Sequence, residues 1–158
     1  MQELNRTKYQ EKLRTAAEVA QMIKSGDEIF FSEFVLRPEL IDKALAERVE
    51  ELINVKIDGV CISKVPKVIA ADPHRKHFIY SDWHFSGVSR KLYQQGLCSY
   101  IPFTYHQGPR IIRKYKTYDY VFVNARPMDT QGYFNFGMAN SLTSAAITKA
   151  KKVIVETN

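Results

Sequence analysis

The strongest constraint on this chain is an alternation of two periodicities. Runs rich in β-branched and aromatic residues, at 28–31, 55–62, 77–80, 100–103, 118–125 and 152–156, are separated by segments with helical spacing. A parallel pair of strands needs a crossover, usually a helix, so the pattern predicts an α/β domain with a largely parallel sheet flanked by helices. The run Tyr118-Asp119-Tyr120-Val121-Phe122-Val123-Asn124-Ala125 is expected near the middle of that sheet.

Helix signals punctuate the runs. Thr15-Ala16-Ala17-Glu18 has the spacing of a capping box, and Ser25-Gly26 supplies a left-handed stop, which places a helix end near Lys24. Pro38 precedes Leu40, Ile41, Ala44, Leu45, Val49 and Leu52 at a 3.6-residue period. Ser86-Gly87-Val88-Ser89 leads into a short helix closed by Gly96, and Gly108-Pro109 opens another through Tyr115. Asn140 or Ser141 is the expected cap of a last helix through Ala145, Ala146 and Ala150. Residues 64–75 read as a loop, and 133–137 as a short strand bounded by glycine.

With 158 residues there is room for one domain with a core that needs neither disulfides nor a metal. Cys61 and Cys98 form no Cys-x-x-Cys pair, and their apolar neighbours predict inert, reduced thiols. No stretch of about 18 apolar residues is present and Met1-Gln2-Glu3-Leu4-Asn5-Arg6 lacks a secretion signal, so a soluble, cytoplasmic protein without membrane attachment is expected. A net charge of +6 favours anionic partners without choosing among them. A strand that stops at Thr157-Asn158 reads as the edge of half of a longer protein, or as a natural edge strand.

The common phosphate-cradling, nucleophile-elbow and His-Glu-x-x-His motifs are missing from the sequence. His74 and His77 lie beside Asp72, but Arg75 and Lys76 between them favour a solvated basic loop over metal ligation, and no metal is expected. Arg110, Arg113, Lys114 and Lys116 cluster at a helix end, where they complement the helix dipole; the rival reading is a module that binds nucleic acid or a phosphorylated ligand. More informative are the loops expected after strands, since ligands of parallel sheets bind at the carboxyl ends of the strands. These are Ser32-Glu33-Phe34-Val35-Leu36-Arg37-Pro38, the segment from Trp83 to Arg90, Thr104-Tyr105-His106-Gln107-Gly108-Pro109, and Arg126-Pro127-Met128-Asp129-Thr130-Gln131-Gly132.

In their order and spacing these loops resemble the amino-terminal half of the acetyl-CoA hydrolase/transferase family, and within it the butyryl-CoA:acetate and 4-hydroxybutyrate CoA-transferases. The resemblance runs from Tyr9-Gln10-Glu11-Lys12 through Ile23-Lys24-Ser25-Gly26-Asp27 and His106-Gln107-Gly108-Pro109. It is strongest in Asp129-Thr130-Gln131-Gly132-Tyr133-Phe134-Asn135-Phe136-Gly137 and in Ala150-Lys151-Lys152-Val153-Ile154-Val155-Glu156-Thr157-Asn158. Related members often carry glycine or histidine in the first of the loops, where this chain has Ser32-Glu33-Phe34. A usual Ser-Pro-Pro-Asp becomes Arg126-Pro127-Met128-Asp129, which bears on acyl specificity more than on fold.

The resemblance implies that residues 1–158 form an amino-terminal CoA-transferase domain of NagB/RpiA-like α/β fold in a cytoplasmic homo-oligomer. Such enzymes exchange CoA between a short-chain acyl-CoA and a carboxylate such as acetate through a glutamate nucleophile. In the family that glutamate, the oxyanion donors and most CoA contacts belong to the carboxyl-terminal half, so no catalytic residue is assigned in this chain. No bound cofactor is expected; CoA enters as a thioester substrate. Glu33, Phe34, Val35, His106 and Met128 are the expected acyl-pocket walls, with Glu33 either binding a polar substrate or pairing with Arg37 or Arg126. Nucleic acid is not an expected partner of that enzyme.

Overall fold

The computed structural model describes residues 2–157 and, among them, contains six strands in one wholly parallel sheet. The strands are β1 (Glu28–Glu33), β2 (Val55–Val60), β3 (Phe78–Asp82), β4 (Ser99–Tyr100), β5 (Tyr118–Ala125) and β6 (Ala150–Thr157). Their spatial order is β4-β3-β2-β1-β5-β6. The chain builds outward from β1 on one side, then returns to lay β5 and β6 on the other. The order therefore reverses between β1 and β5, and the connections leaving these two neighbours diverge to opposite faces of the sheet. β5 is interior, as its composition predicts.

Alternation within β1 shows how both faces become core. Ile29 and Phe31 join the apolar side chains of α2 (Ala16–Gln21), α3 (Glu39–Ala46), α4 (Lys67–Ala71) and α5 (Gly87–Gln94), through Val19, Ile41, Leu45, Val68 and Leu92. Phe30 points the other way, to Ile112 of α6 (Gly108–Tyr115) and Ala145 and Ala146 of α7 (Thr143–Ile147). Phe31 meets Phe122 edge-on, with ring centroids 5.4 Å apart, and ties β1 to β5. A strand covered on both faces has no polar side to show, which accounts for its uninterrupted apolar run.

Several helices start where local sequence says they should. Thr15 and Glu18 form the expected reciprocal box, with Glu18 Oε2 accepting from the Thr15 N–H at 2.7 Å and Thr15 Oγ1 from the Glu18 N–H at 3.2 Å. Ser86 caps α5, and Gly96 closes it at φ +74°. The regular part of α2 stops at Gln21, short of the expected Lys24, and α3 ends at Ala46, with a separate 3-10 turn at Val49–Glu51.

Other elements depart from expectation for reasons that lie far along the chain. α4 occupies the stretch expected to be a loop: the buried Asp42 accepts from the N–H groups of Lys67 and Val68, at 2.8 and 3.1 Å, and starts a helix that has no side-chain cap of its own. Residues 133–137 form no strand, because Asp129 Oδ1 accepts from the Tyr133 N–H and Asn135 Oδ1 from the Gly137 N–H, removing donors that a ladder needs. α7 is shorter than predicted, and Ala150 belongs to β6. α1 (Gln2–Lys12) carries no apolar stripe, so its periodicity is invisible to pattern reading. Asn158, where the predicted last strand runs out, lies outside the described residues.

Candidate functional site

The reversal point of the sheet is where backbone geometry is most unusual. The pairing of β1 with β2 slips between Phe30 and Glu33, and Ser32 and Phe34 both sit in the left-handed region, at φ +56° and +53°. Cys61, at the end of neighbouring β2, does the same at φ +52°. A side chain in this region costs about 1 kcal/mol or more, and such residues gather where a chain must turn to order. The hydroxyl of buried Ser32 makes no hydrogen bond among the described residues.

Across the reversal point, residues 126–142 leave β5 and form a folded loop before α7. Asp129 organises its first turn, its Oδ1 accepting from the N–H groups of Gln131 and Tyr133, both at 2.9 Å. The Arg126 N–H donates to the Asn135 carbonyl at 3.1 Å and closes the loop's base. Gly132 and Gly137 supply left-handed corners at φ +95° and +69°. These ties enclose a cleft of about 710 Å³, within the range of small-molecule sites. Phe134, Phe136 and Tyr133 line it with aromatic surface, while Arg126, Asp129, Asn135 and Asn140 present polar groups. The arrangement suits a small ligand with an apolar body and a polar end.

An aromatic shelf stands beside the cleft. Trp83 packs edge-on against Phe103 at 5.2 Å between centroids, Phe103 lies 5.9 Å from Tyr105, and the Tyr105 hydroxyl reaches the Ser141 hydroxyl at the far end of the loop. His84 meets Tyr105 edge-on at 5.5 Å.

Buried carboxylates around this rim are taken up by backbone donors. Glu33 is 1% exposed and accepts from Ser141 N–H at 2.5 Å, Leu142 N–H at 3.1 Å and Thr143 Oγ1 at 2.9 Å. Asp82 accepts from the Cys61 N–H at 2.8 Å and from the Ser89 hydroxyl, and burial pushes its carboxyl above the usual range despite those donors. Burial likewise raises the Asp42 carboxyl against the opposing pull of Lys67, Arg37 and Val68. Each of these groups joins two separate elements of the fold. Burial raises both thiols as well, that of Cys98 to about 12, so neither is a ready nucleophile.

The predicted site residues are therefore divided. Phe34 is half-buried and Val35 exposed on the β1 loop; His106 is exposed in a 3-10 turn after β4; Met128 is half-buried in the β5 loop but does not line the cleft. Glu33 points inward, and the pairing expected for it with Arg37 or Arg126 does not form. Arg37 instead lies 3.4 Å from Asp42 and donates to the Lys64 carbonyl at 2.8 Å. Sequence reading missed the lining role of Tyr133 to Gly137 by assigning them to a strand. The paired turn signals Asp129-x-x-Gly132 and Asn135-x-Gly137 carried the needed information.

Two other sequence candidates find structural partners. Asp72 accepts from the N–H groups of Lys76, His77 and Phe78, and His77 Nδ1 faces the Leu52 carbonyl at 2.8 Å. In the basic cluster, Lys116 pairs with buried Asp58 at 2.7 Å and Arg110 donates to Gln107. The last turn of α6 leads into the start of β5, so Arg113 and Lys114 lie at the opposite end of the sheet from the cleft. No helix among the described residues is long and apolar enough to cross a membrane.

Residues 1–158 match the family described as acetyl-CoA hydrolase/transferase N-terminal domain. The chain is 38% identical over 151 residues to the butyryl-CoA:acetate CoA-transferase of Anaerostipes caccae, covering 95% of this chain and 34% of that protein. It is 36% identical over 156 residues to the succinyl-CoA:cyclohexane-1-carboxylate CoA transferase of Geobacter metallireducens, with the same coverages of 95% and 34%. Its structure superposes on RipA from Yersinia pestis with a TM-score of 0.84 at 25% identity, over 98% of this chain and 38% of that one. The chain thus spans about a third of the length of the curated relatives it matches.

Proposed function

The chain belongs to the acetyl-CoA hydrolase/transferase family, as its N-terminal domain, and on that premise we propose that it forms the acid-facing wall of a CoA-transferase active site. The supporting observation is the cleft beside the reversal point of the sheet, whose aromatic lining is joined by Arg126, Asn135 and Asn140, with Asp129 occupied in the turn it organises. A short-chain acid has that division: an apolar tail for Phe134 and Phe136, and a carboxylate for the guanidinium and amides. Phe34, Val35 and His106 extend the wall from the adjoining loops, and Met128 from the cleft's own loop, beyond the residues that line it. The relatives act on butyrate and acetate in one case and on cyclohexane-1-carboxylate in another, so the family accommodates acids of different bulk.

In this reading the reacting carboxylate comes from the part of the full-length protein beyond this domain, and CoA is a substrate thioester rather than a resident cofactor. Engagement of Glu33, Asp42 and Asp82 by backbone and hydroxyl donors supports that division of labour, since a nucleophilic carboxylate needs a free oxygen facing the thioester. The working protein is cytoplasmic and homo-oligomeric, and the two free cysteines suit a reducing compartment.

The test is CoA transfer from butyryl-CoA to acetate. The 158-residue chain alone should give no transfer above background, and addition of the carboxyl-terminal remainder of a family member should produce it. Ordinary enzymatic turnover by the chain alone would refute the assignment of the nucleophile to another domain.

A further inference from the structure

We infer that Glu33 is the latch of the loop 126–142, a positioning residue that sets the shape of the cleft from behind without touching its contents. Three donors at the loop's far end, Ser141 N–H, Leu142 N–H and Thr143 Oγ1, converge on this one carboxylate from more than a hundred residues away in sequence. The helix they begin cannot hold itself. α7 has five residues, below the length at which an isolated helix is stable, and its cap residue Leu142 makes no side-chain capping bond.

The hydrogen bonds of Asp129, Asn135 and Asn140 shape the loop and its junction with α7 internally. Beside the apolar packing of Leu142 on α6, the hydrogen bonds from its far end to the rest of the rim among the described residues are those to Glu33 and that between Ser141 and the Tyr105 hydroxyl. Glu33 itself is held rigidly, buried to 1% exposure and flanked by two left-handed residues, Ser32 and Phe34. The bulge at the end of β1 rotates this side chain toward α7, which gives the strained backbone a purpose: it aims the latch.

This inference deepens the reading of the cleft as the acid site, but the latch is tested without CoA chemistry, so the two stand or fall separately. Amide hydrogen exchange and 1H–15N spectra are compared for the 158-residue chain and its Glu33→Gln and Thr143→Val variants, with Asp72→Asn as a control carboxylate distant in the fold. Glu33→Gln should speed exchange of the Ser141 and Leu142 amides by about tenfold, the scale of one lost charged hydrogen bond. It should also shift the cross-peaks of cleft residues Asn135 and Gly137 while leaving Ile57 and Asp58 of β2 unchanged. Thr143→Val, which deletes one donor and keeps the side chain's shape, should speed the same two amides by about threefold and decides the matter if Glu33→Gln does not fold. Unchanged exchange at Ser141 and Leu142, an equal rise in β2, or equal opening of the loop by Asp72→Asn would overturn the latch.

Discussion

Glu156, on the last strand, accepts from the backbone N–H groups of Leu40 and Ile41 at 3.2 and 3.0 Å, capping α3 across 116 and 115 residues of sequence. Pro38 stands at the cap position of α3 and makes no side-chain bond there, so β6 supplies what the helix lacks. With Asp42 on α4 and Glu33 on α7, this makes three helix starts held by carboxylates from other elements.

Loss of that cap should be felt at α3. Glu156→Gln keeps one acceptor and should lower stability by about 0.5 kcal/mol, and Glu156→Ala by about 1–2 kcal/mol, measured by urea unfolding. Equal stability of Glu156→Ala and the parent chain would show that water replaces the cap at no cost.

Ser32→Gly should stabilise the protein. Ser32 is buried at φ +56° with a hydroxyl that finds no partner among the described residues, so glycine relieves both backbone strain and an unmet donor. The added freedom of the unfolded chain offsets part of the gain, leaving about 1 kcal/mol. A lower thermal midpoint would contradict this account of the bulge.

Gly59 admits no side chain. An added Cβ would lie 2.0 Å from the hydroxyl oxygen of Tyr80 and 2.9 Å from its ring carbon, in a ring that is 1% exposed. Gly59→Ala should therefore cost about 1–3 kcal/mol by overpacking. The Tyr80 hydroxyl has no hydrogen-bond partner among the described residues, so Tyr80→Phe should be near neutral alone and should recover part of the loss in the double variant. Strict additivity in that cycle would rule out the contact.

Stability should depend on pH with opposite slopes on the two sides of about pH 3.9, the ordinary aspartate value. Burial raises the Asp82 carboxyl, so just above that pH the folded chain keeps a proton the unfolded chain has lost, and stability falls as pH rises. For Asp72 burial acts upward too, but the N–H groups of Phe78, His77 and Lys76 outweigh it and hold the carboxyl low. Its contribution is complete above the unfolded value and is lost as pH falls through the folded one. Across this range the falling limb of the urea midpoints should be shallower in Asp82→Asn, Asp42 supplying the remainder, and the acid-side rise shallower in Asp72→Asn, Asp119 supplying part of what is left; unchanged slopes would refute the assignments.

Local rules carried much of the fold. Thr15 with Glu18, Gly96 and Gly108-Pro109 bound their helices as read, α5 starts at Gly87 within the segment expected to lead into it, and the interior position of β5 follows from its composition. The site was less legible. Its loops were recognisable as the segments after strands, but the expected partners of Glu33 were Arg37 or Arg126 where the observed ones are donors at the start of α7, and the cleft's aromatic wall looked like a strand. Both errors have one origin: the groups that decide each residue's state are supplied by another part of the chain.

By itself, the sequence determined the alternation of strand and helix, hence a parallel α/β sheet, and the motifs that resemble the acetyl-CoA hydrolase/transferase family. Periodicity and capping act within a few residues, so they can be read in a short window. Only the tertiary structure decided where α4 and α7 begin, which way Glu33 points, and that Ser32 and Phe34 turn left-handed without glycine. Those outcomes depend on donors and acceptors 25 to 110 residues apart, and burial removes the water that would otherwise satisfy them.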